Sequence, residues 1–217
     1  MGQRITRLSP RVARAWLVAG VIVGLLGAPA AARDFIYKEW RFNTDAVPGE
    51  LPDALVQSLQ AQIDLVESLP IRPEIMRFFR HVEVVVDPEV LGAQGFYRVN
   101  IRRKVWMRRI ELGTLIVPPD SPLLLRMLLY AYLDERVAEG RRNAKIAAWL
   151  EDAKRSGAFP YKQLIHSPED FFAVGTGAIL WGRAPQGRTV RAKLREKVPD
   201  FYAWVVAEFY PAGEPAR

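Results

Sequence analysis

The stretch from Ser121 to Arg136 is the most apolar segment of the chain outside its N-terminus, and whatever fold forms has to bury it. It opens with a helix-start signal. Ser121 can accept hydrogen bonds from the free amides of a first turn, and Pro122 suits the first helical position, where no N–H is needed. Leucine-rich sequence then continues for three turns. The stretch therefore predicts a buried helix, with the rest of the chain arranged around it.

Within that helix, positions 126 and 130 are four apart and lie one above the other on one face. This is the spacing at which a helix offers two ligands to one metal. Here they hold Arg126 and Tyr130, with Met127 between them. An arginine does not lose its proton to become a ligand at ordinary pH, and a methionine cannot serve as a base.

At 217 residues, 50% hydrophobic and 25% charged, the chain suffices for one well-buried core and is short for two. With no Cys, disulfides, thiolate metal sites and cysteine nucleophiles are excluded, and with only His81 and His166 a three-histidine metal site is excluded as well. There is no internal repeat, no Gly-rich phosphate loop and no Gly-x-Ser-x-Gly elbow.

Arg4, Arg7, Arg11 and Arg14 precede an apolar run from Trp16 to Leu26, which ends in Gly27, Ala28, Pro29 and three alanines. This predicts a secretory signal peptide over residues 1–32, with Ala30-x-Ala32 as cleavage site, followed by a single domain over residues 33–217 that is periplasmic or secreted. An uncleaved anchor is the rival reading, but the run is shorter than the roughly 20 residues a span needs. Neither an Arg-Arg pair before the run nor a Cys after it points to the twin-arginine or lipoprotein route. Cleavage would leave 27 basic against 24 acidic residues and lower the formal charge from +7 to +3, which argues against a nucleic-acid partner.

Residues 33–49 partly alternate aromatics with charges (Phe35, Tyr37, Trp40, Phe42) and read as a short strand or an ordered arm. Leu55, Val56, Leu59, Ile63, Leu65 and Val66 predict an amphipathic helix over 52–69, stopped by Pro70, and a short helix over 73–79 follows. Two strands are expected at 81–88, with His81 at the edge, and at 95–101. A third is expected over 103–117, with Gly113 as a bend or bulge. Arg98, Arg102, Arg103, Lys104, Arg108 and Arg109 form the densest basic patch after the leader. It reads either as a solvated sheet face that blunts edge pairing or as a groove for an anionic or extended partner.

A helix is expected over 143–156, ended by Gly157. Another opens at Ser167-Pro168 and runs to about Trp181-Gly182, where Ser167-x-x-Asp170 has the form of a capping box. Arg188, Arg191 and Lys193 to Lys197 form a basic helix, and Pro199-Asp200-Phe201-Tyr202-Ala203-Trp204 lies in the tail.

Leu124, Leu125, Leu128, Leu129, Ala131, Tyr132 and Asp134, the Phe171-Phe172-Ala173 run and the Pro199-Asp200-x-Tyr202-Ala203-Trp204 tail together resemble the zincin-type metallopeptidases of the anthrax lethal factor-like family, in a secreted bacterial subgroup. The likeness spans roughly residues 95–209. It implies an α+β, zincin-like fold, with a small and mostly antiparallel sheet packed on the central helix and several further helices.

In that family the central helix carries His-Glu-x-x-His, and a Glu before Phe-Phe-Ala is the third zinc ligand. By the resemblance Arg126 stands at the first ligand, Met127 at the general base, Tyr130 at the second ligand and Asp170 at the third. A catalytic zinc needs three protein ligands and a neighbouring carboxylate to take the proton of its water. The implied protein is therefore a degenerate and inactive member with no cofactor. It would act as an exported binding or structural module for a peptide, a protein or an anionic envelope component. Tyr132, Asp134, His166, Arg102, Arg103 and Arg108 are the further candidates to line its cleft.

Two sharper expectations concern the degenerate site. Arg126 and Asp170 can form an ion pair that replaces the metal as a cross-link, or Arg126 can snorkel on the exposed side of its helix. An unconventional metal site from Tyr130, Asp170 and His166 is the remaining route to a hydrolase.

Overall fold

The computed structural model describes residues 34–91, 94–102, 105–159, 165–182 and 191–211. Residues 1–32, where a leader is expected, and Arg188 lie outside the described residues, as do Arg103 and Lys104. All described residues belong to one compact unit. The fold is α+β, with a five-stranded sheet and seven α-helices among them.

The aromatic segment near the start forms a hairpin rather than a single strand. β1 (Asp34–Tyr37) turns at Lys38, which adopts a left-handed φ of 53°, into antiparallel β2 (Trp40–Asn43). Trp40 and Phe42 face the core from β2, and their alternation with Arg41 is what fixes its inner face.

α1 (Asp53–Glu67) buries Leu55, Leu59, Ile63 and Val66 as one stripe. α2 (Pro73–His81) starts on Pro73 and continues through His81, whose Nδ1 lies 2.7 Å from the Arg77 carbonyl oxygen. The expected strand at 81 therefore begins later, because His81 closes a helix whose buried face is Ile75, Met76 and Phe79. β3 is only Val84–Val86, fully buried.

β4 (Gly95–Arg102) and β5 (Val105–Leu112) pair along their whole length, from Gly95 opposite Leu112 to Arg102 opposite Val105. β5 ends at Leu112 and does not continue to residue 117. The Gly113 amide donates to the Gln94 carbonyl, so Gly113 closes the ladder instead of bulging it, and Leu115 and Ile116 are exposed beyond it. The strand order is β1-β2-β3-β5-β4. The long ladders, β1–β2 and β4–β5, are antiparallel, whereas β3 joins β2 and β5 through short parallel ones. The three valines of β3 fit that central, doubly flanked place.

α3 (Leu123–Arg136) is the predicted buried helix, with Leu124, Leu125, Leu128 and Leu129 fully enclosed. Its start differs from the expectation. Pro122 occupies the cap position and the Ser121 side chain makes no cap hydrogen bond. The buried Gln62 of α1 takes that role: its Nε2 donates to the Ser121 carbonyl at 2.8 Å, and its Oε1 accepts from the Leu124 amide at 3.1 Å.

α4 (Ala144–Ser156) is capped by the Asn143 side chain, which accepts from the Lys145 and Ile146 amides, and it ends on Gly157 at a φ of +64°. α5 (Pro168–Trp181) is apolar on nearly every side and packs against α3 and α4 as well as α6 (Arg191–Lys197) and α7 (Pro199–Phe209). A Cβ at Gly175 would come within 2.8 Å of the Phe201 ring, so only glycine lets α5 lie this close to α7. Arg191 caps the other end of α5, donating to the carbonyls of Ile179 and Leu180. Among the described residues, no helix is long and apolar enough to cross a membrane.

Candidate functional site

Along α3, every residue from Leu123 to Leu133 is buried except Arg126 and Tyr130, and Asp134 continues the half-buried series. The spacing of four places the three on one stripe, and each meets a different environment.

Asp134, at the C-terminal end, is saturated. It accepts from the Tyr97 hydroxyl of β4 at 3.1 Å and from Arg108 Nε of β5 at 3.2 Å, and Arg141 lies 3.8 Å away. Tyr97 also donates to Glu135. Burial and these two carboxylates hold the Tyr97 phenol well above its ordinary value.

Tyr130, one turn nearer the N-terminus, donates to Asp170 Oδ1 of α5 at 2.5 Å. Burial, and then this bond to a carboxylate, push its phenol well up, so it is a neutral donor at any physiological pH. Asp170 is fully engaged. Its other oxygen accepts from the His166 backbone amide at 3.3 Å, and its own amide donates to Ser167 Oγ at 3.1 Å. Ser167 thus caps α5 as expected, while the returning half of the capping box reaches one residue further back.

Arg126 is the odd member. Its Nε is buried and has no hydrogen-bond partner, and the guanidinium forms no ion pair with any described residue. The expected Arg126–Asp170 pair does not form, because Asp170 sits one turn along, against Tyr130. Arg126 is half-buried on the least buried stripe of α3 and borders a cavity of about 30 Å3 between α3 and α5, a placement compatible with the snorkelling alternative. That cavity is otherwise lined mainly by apolar groups, among them Leu125, Ala173, Val174 and Gly177.

The other candidates separate. Met127 is buried in the core, close to Gly95, where a Cβ on the glycine would meet Met127 Cγ at 3.1 Å. Tyr132 is not a cleft residue. It belongs to a ring cluster with Phe78, Phe79 and Phe209 on the far side of α3, and its hydroxyl donates to Glu208 of α7. Tyr130 and Asp170 meet, but His166 is exposed and contributes only its backbone amide. Among the described residues, no group of three or more His, Asp or Glu side chains is placed to hold a metal.

The basic patch is largely neutralised where it is described. Arg98 and Arg109 both bind Glu111, which is buried between them on β5, and Arg108 binds Asp134. Arg102 is placed only as backbone, at the end of β4 opposite Val105.

Two features escaped the sequence reading. Tyr97 joins β4 to α3, although nothing local marks it. A wide groove of about 530 Å3 at the C-terminal end of α3 is lined by Phe78, His81, Glu83, Met107, Arg108 and Glu135, among others, with Arg136 stacked over Phe78 at 4.8 Å. Gln62 did leave a signal: it interrupts the apolar stripe of α1 between Leu59 and Val66.

The chain matches no family model, no curated protein and no solved structure.

Proposed function

We propose that this protein is an exported, non-catalytic zincin-like module that binds an extended peptide or protein segment along the outer strand β4. One observation carries the reading. The helix positions at which the resemblance puts the second and third zinc ligands do face each other, and there a direct hydrogen bond between Tyr130 and Asp170 takes the place of a metal bridge. Arg126 adds a fixed positive charge beside them, which opposes a cation at the same place.

The base position adds support, since Met127 is enclosed by the core and has no proton-accepting group. A binding role fits β4, which among the described residues ends the sheet and pairs only with β5, an edge suited to an added strand. Export rests on the leader pattern alone.

Zinc content decides between this reading and a hydrolase with a non-standard site. Protein expressed with zinc supplied and purified without chelator is expected to carry a ratio of metal to chain near zero. A ratio near one, lost on Asp170→Ala, would overturn the reading and make Tyr130, Asp170 and His166 the first ligands to test.

A further inference from the structure

We infer that the segment laid along β4 is apolar at one end and acidic at alternate positions beyond it, and that its apolar end sits on an exposed hydrophobic corner of the sheet. The inference rests on the edge-strand reading above and names the chemistry of what binds there.

Ladder geometry fixes which backbone groups are offered. The Gly113 amide donates to the Gln94 carbonyl, one step before the Gly95–Leu112 pair, and the Ile110 amide, opposite Tyr97, turns away from β4 to the Glu83 carbonyl. Hydrogen-bonded and non-hydrogen-bonded pairs alternate along an antiparallel ladder. Phe96, Arg98 and Asn100 therefore direct their N–H and C=O groups to β5, whereas Gly95, Tyr97 and Val99 direct theirs to the edge that no described strand occupies. An added strand would pair with those three. Its alternate side chains would then lie beside Phe96, Arg98 and Asn100, all exposed on the sheet face opposite Tyr97.

Those side chains select the partner's chemistry. Arg98 and Arg109 share a single carboxylate, that of the buried Glu111, so this face carries one positive charge more than it neutralises. Arg98 also lies 5.1 Å over the Phe96 ring, joining the charge to an apolar surface. Towards the start of β4 the character changes. Of the five large hydrophobic side chains exposed among the described residues, four (Leu91, Phe96, Leu115 and Ile116) lie within three residues of the Gly113–Gln94 bond, no more than about 11 Å from it by chain reach, and only Ile36 is elsewhere. Scattered exposed leucines need no explanation, but a cluster at one corner marks an interaction surface. Residues 82–97 and 110–125, which carry that corner, contain five acids and no Lys or Arg, so it does not suit an anionic bilayer.

Anisotropy titrations of four labelled octapeptides with the full chain test this. Two carry Leu-Leu at one end and Glu alternating with Thr beyond it, one in each chain direction, and the other two have Lys in place of Glu. One acidic peptide is expected to bind about 10-fold tighter than its Lys counterpart, to weaken about 10-fold on Leu115→Ser with Ile116→Ser, and to lose its advantage over Lys on Asn100→Glu. Val99→Pro removes an amide that points away from β5, so it is expected to leave the melting temperature close to native and to abolish binding of every peptide. If Val99→Pro does not fold, the variants at exposed sites alone decide. Equal affinity for Glu and Lys peptides, or no effect of the Leu115 and Ile116 changes, overturns the inference; if Val99→Pro still abolishes binding, the edge-strand reading stands. No binding of any peptide at about 1 mM, or full binding by a folded Val99→Pro chain, overturns both. Co-sedimentation with phosphatidylcholine vesicles that the Leu115 and Ile116 changes remove would assign the corner to a membrane, and a peptide-free dimer that Val99→Pro dissociates would assign the edge to a second copy. Either overturns the inference.

Discussion

Gln62 and Arg126 both bring polar atoms to the N-terminal half of α3, and the fold treats them in opposite ways. Gln62 is almost completely enclosed, yet both ends of its amide are used, one on the Ser121 carbonyl and one on the Leu124 amide. Arg126 is less enclosed, yet its Nε has no partner. The α1 side of the helix shows that this core can satisfy a buried polar group when the group serves the fold. The α5 side is less complete: Arg126 Nε and the fully enclosed Thr176 hydroxyl both lack a hydrogen-bond partner among the described residues.

The largest expected effect comes from the satisfied side. Gln62→Met removes the donor and acceptor that cap α3, leaving the Leu124 amide unpaired while the Ser121 carbonyl keeps its bond from the Leu123 amide. A loss of about 1–3 kcal/mol in a urea titration is expected. A loss below about 1 kcal/mol would break the comparison, because the cap would then not need its glutamine.

Next is Gly175→Ala. The added methyl meets the Phe201 ring at 2.8 Å, and overpacking of this kind costs about 1–3 kcal/mol. Gly177→Ala is the control on the same helix. Its nearest neighbour is Leu129 Cδ1 at 3.6 Å, an ordinary contact, so better helix propensity is expected to raise stability by up to about 1 kcal/mol. Equal losses for the two would mean that α3 presses on α5 as tightly as α7 does, with no slack at the Arg126 cavity.

Tyr130→Phe is expected to cost about 1 kcal/mol at neutral pH, a single hydrogen bond. It also has a pH signature. The native phenol titrates above its ordinary value of 10.0, so above pH 10 the unfolded chain loses this proton while the folded chain keeps it. The stability that the phenol contributes is therefore fully present below pH 10 and is lost as pH rises towards the folded value. Tyr97 and Tyr132 are shifted in the same direction. Alkaline melts of the native chain are expected to fall beyond pH 10, and less steeply in Tyr130→Phe. An unchanged slope would mean that the bond to Asp170 does not form in solution.

Most helices were legible because their signals are local. Asn143 and Gly157 bracket α4, Ser167 and Gly182 bracket α5, and the 3.6-residue stripe of α1 is continuous except for Ser58 and Gln62. The sheet was less legible. Three valines do not say that β3 will lie parallel to both neighbours, since pairing direction follows from where the intervening helices carry the chain. Leu115, Ile116 and Val117 continue the β5 pattern, but β5 ends at Leu112 opposite Gly95, and the Gly113 amide closes the ladder on the Gln94 carbonyl.

The candidate site divides in the same way. From sequence alone, Arg126 and Tyr130 were known to share a face of a buried helix, and Asp170 was known to sit in the first turn of another. Which of the two would receive the carboxylate depends on how α3 and α5 slide past each other by one turn, about 5.4 Å. Spacing within a helix is fixed by the backbone, so the sequence determined the stripe. The alignment between helices is set by packing, here by the small residues Ala173 and Gly177 against α3 and by Gly175 against Phe201. Only that packing decided that Tyr130, and not Arg126, would hold Asp170, and that Arg126 would have no ion-pair partner among the described residues.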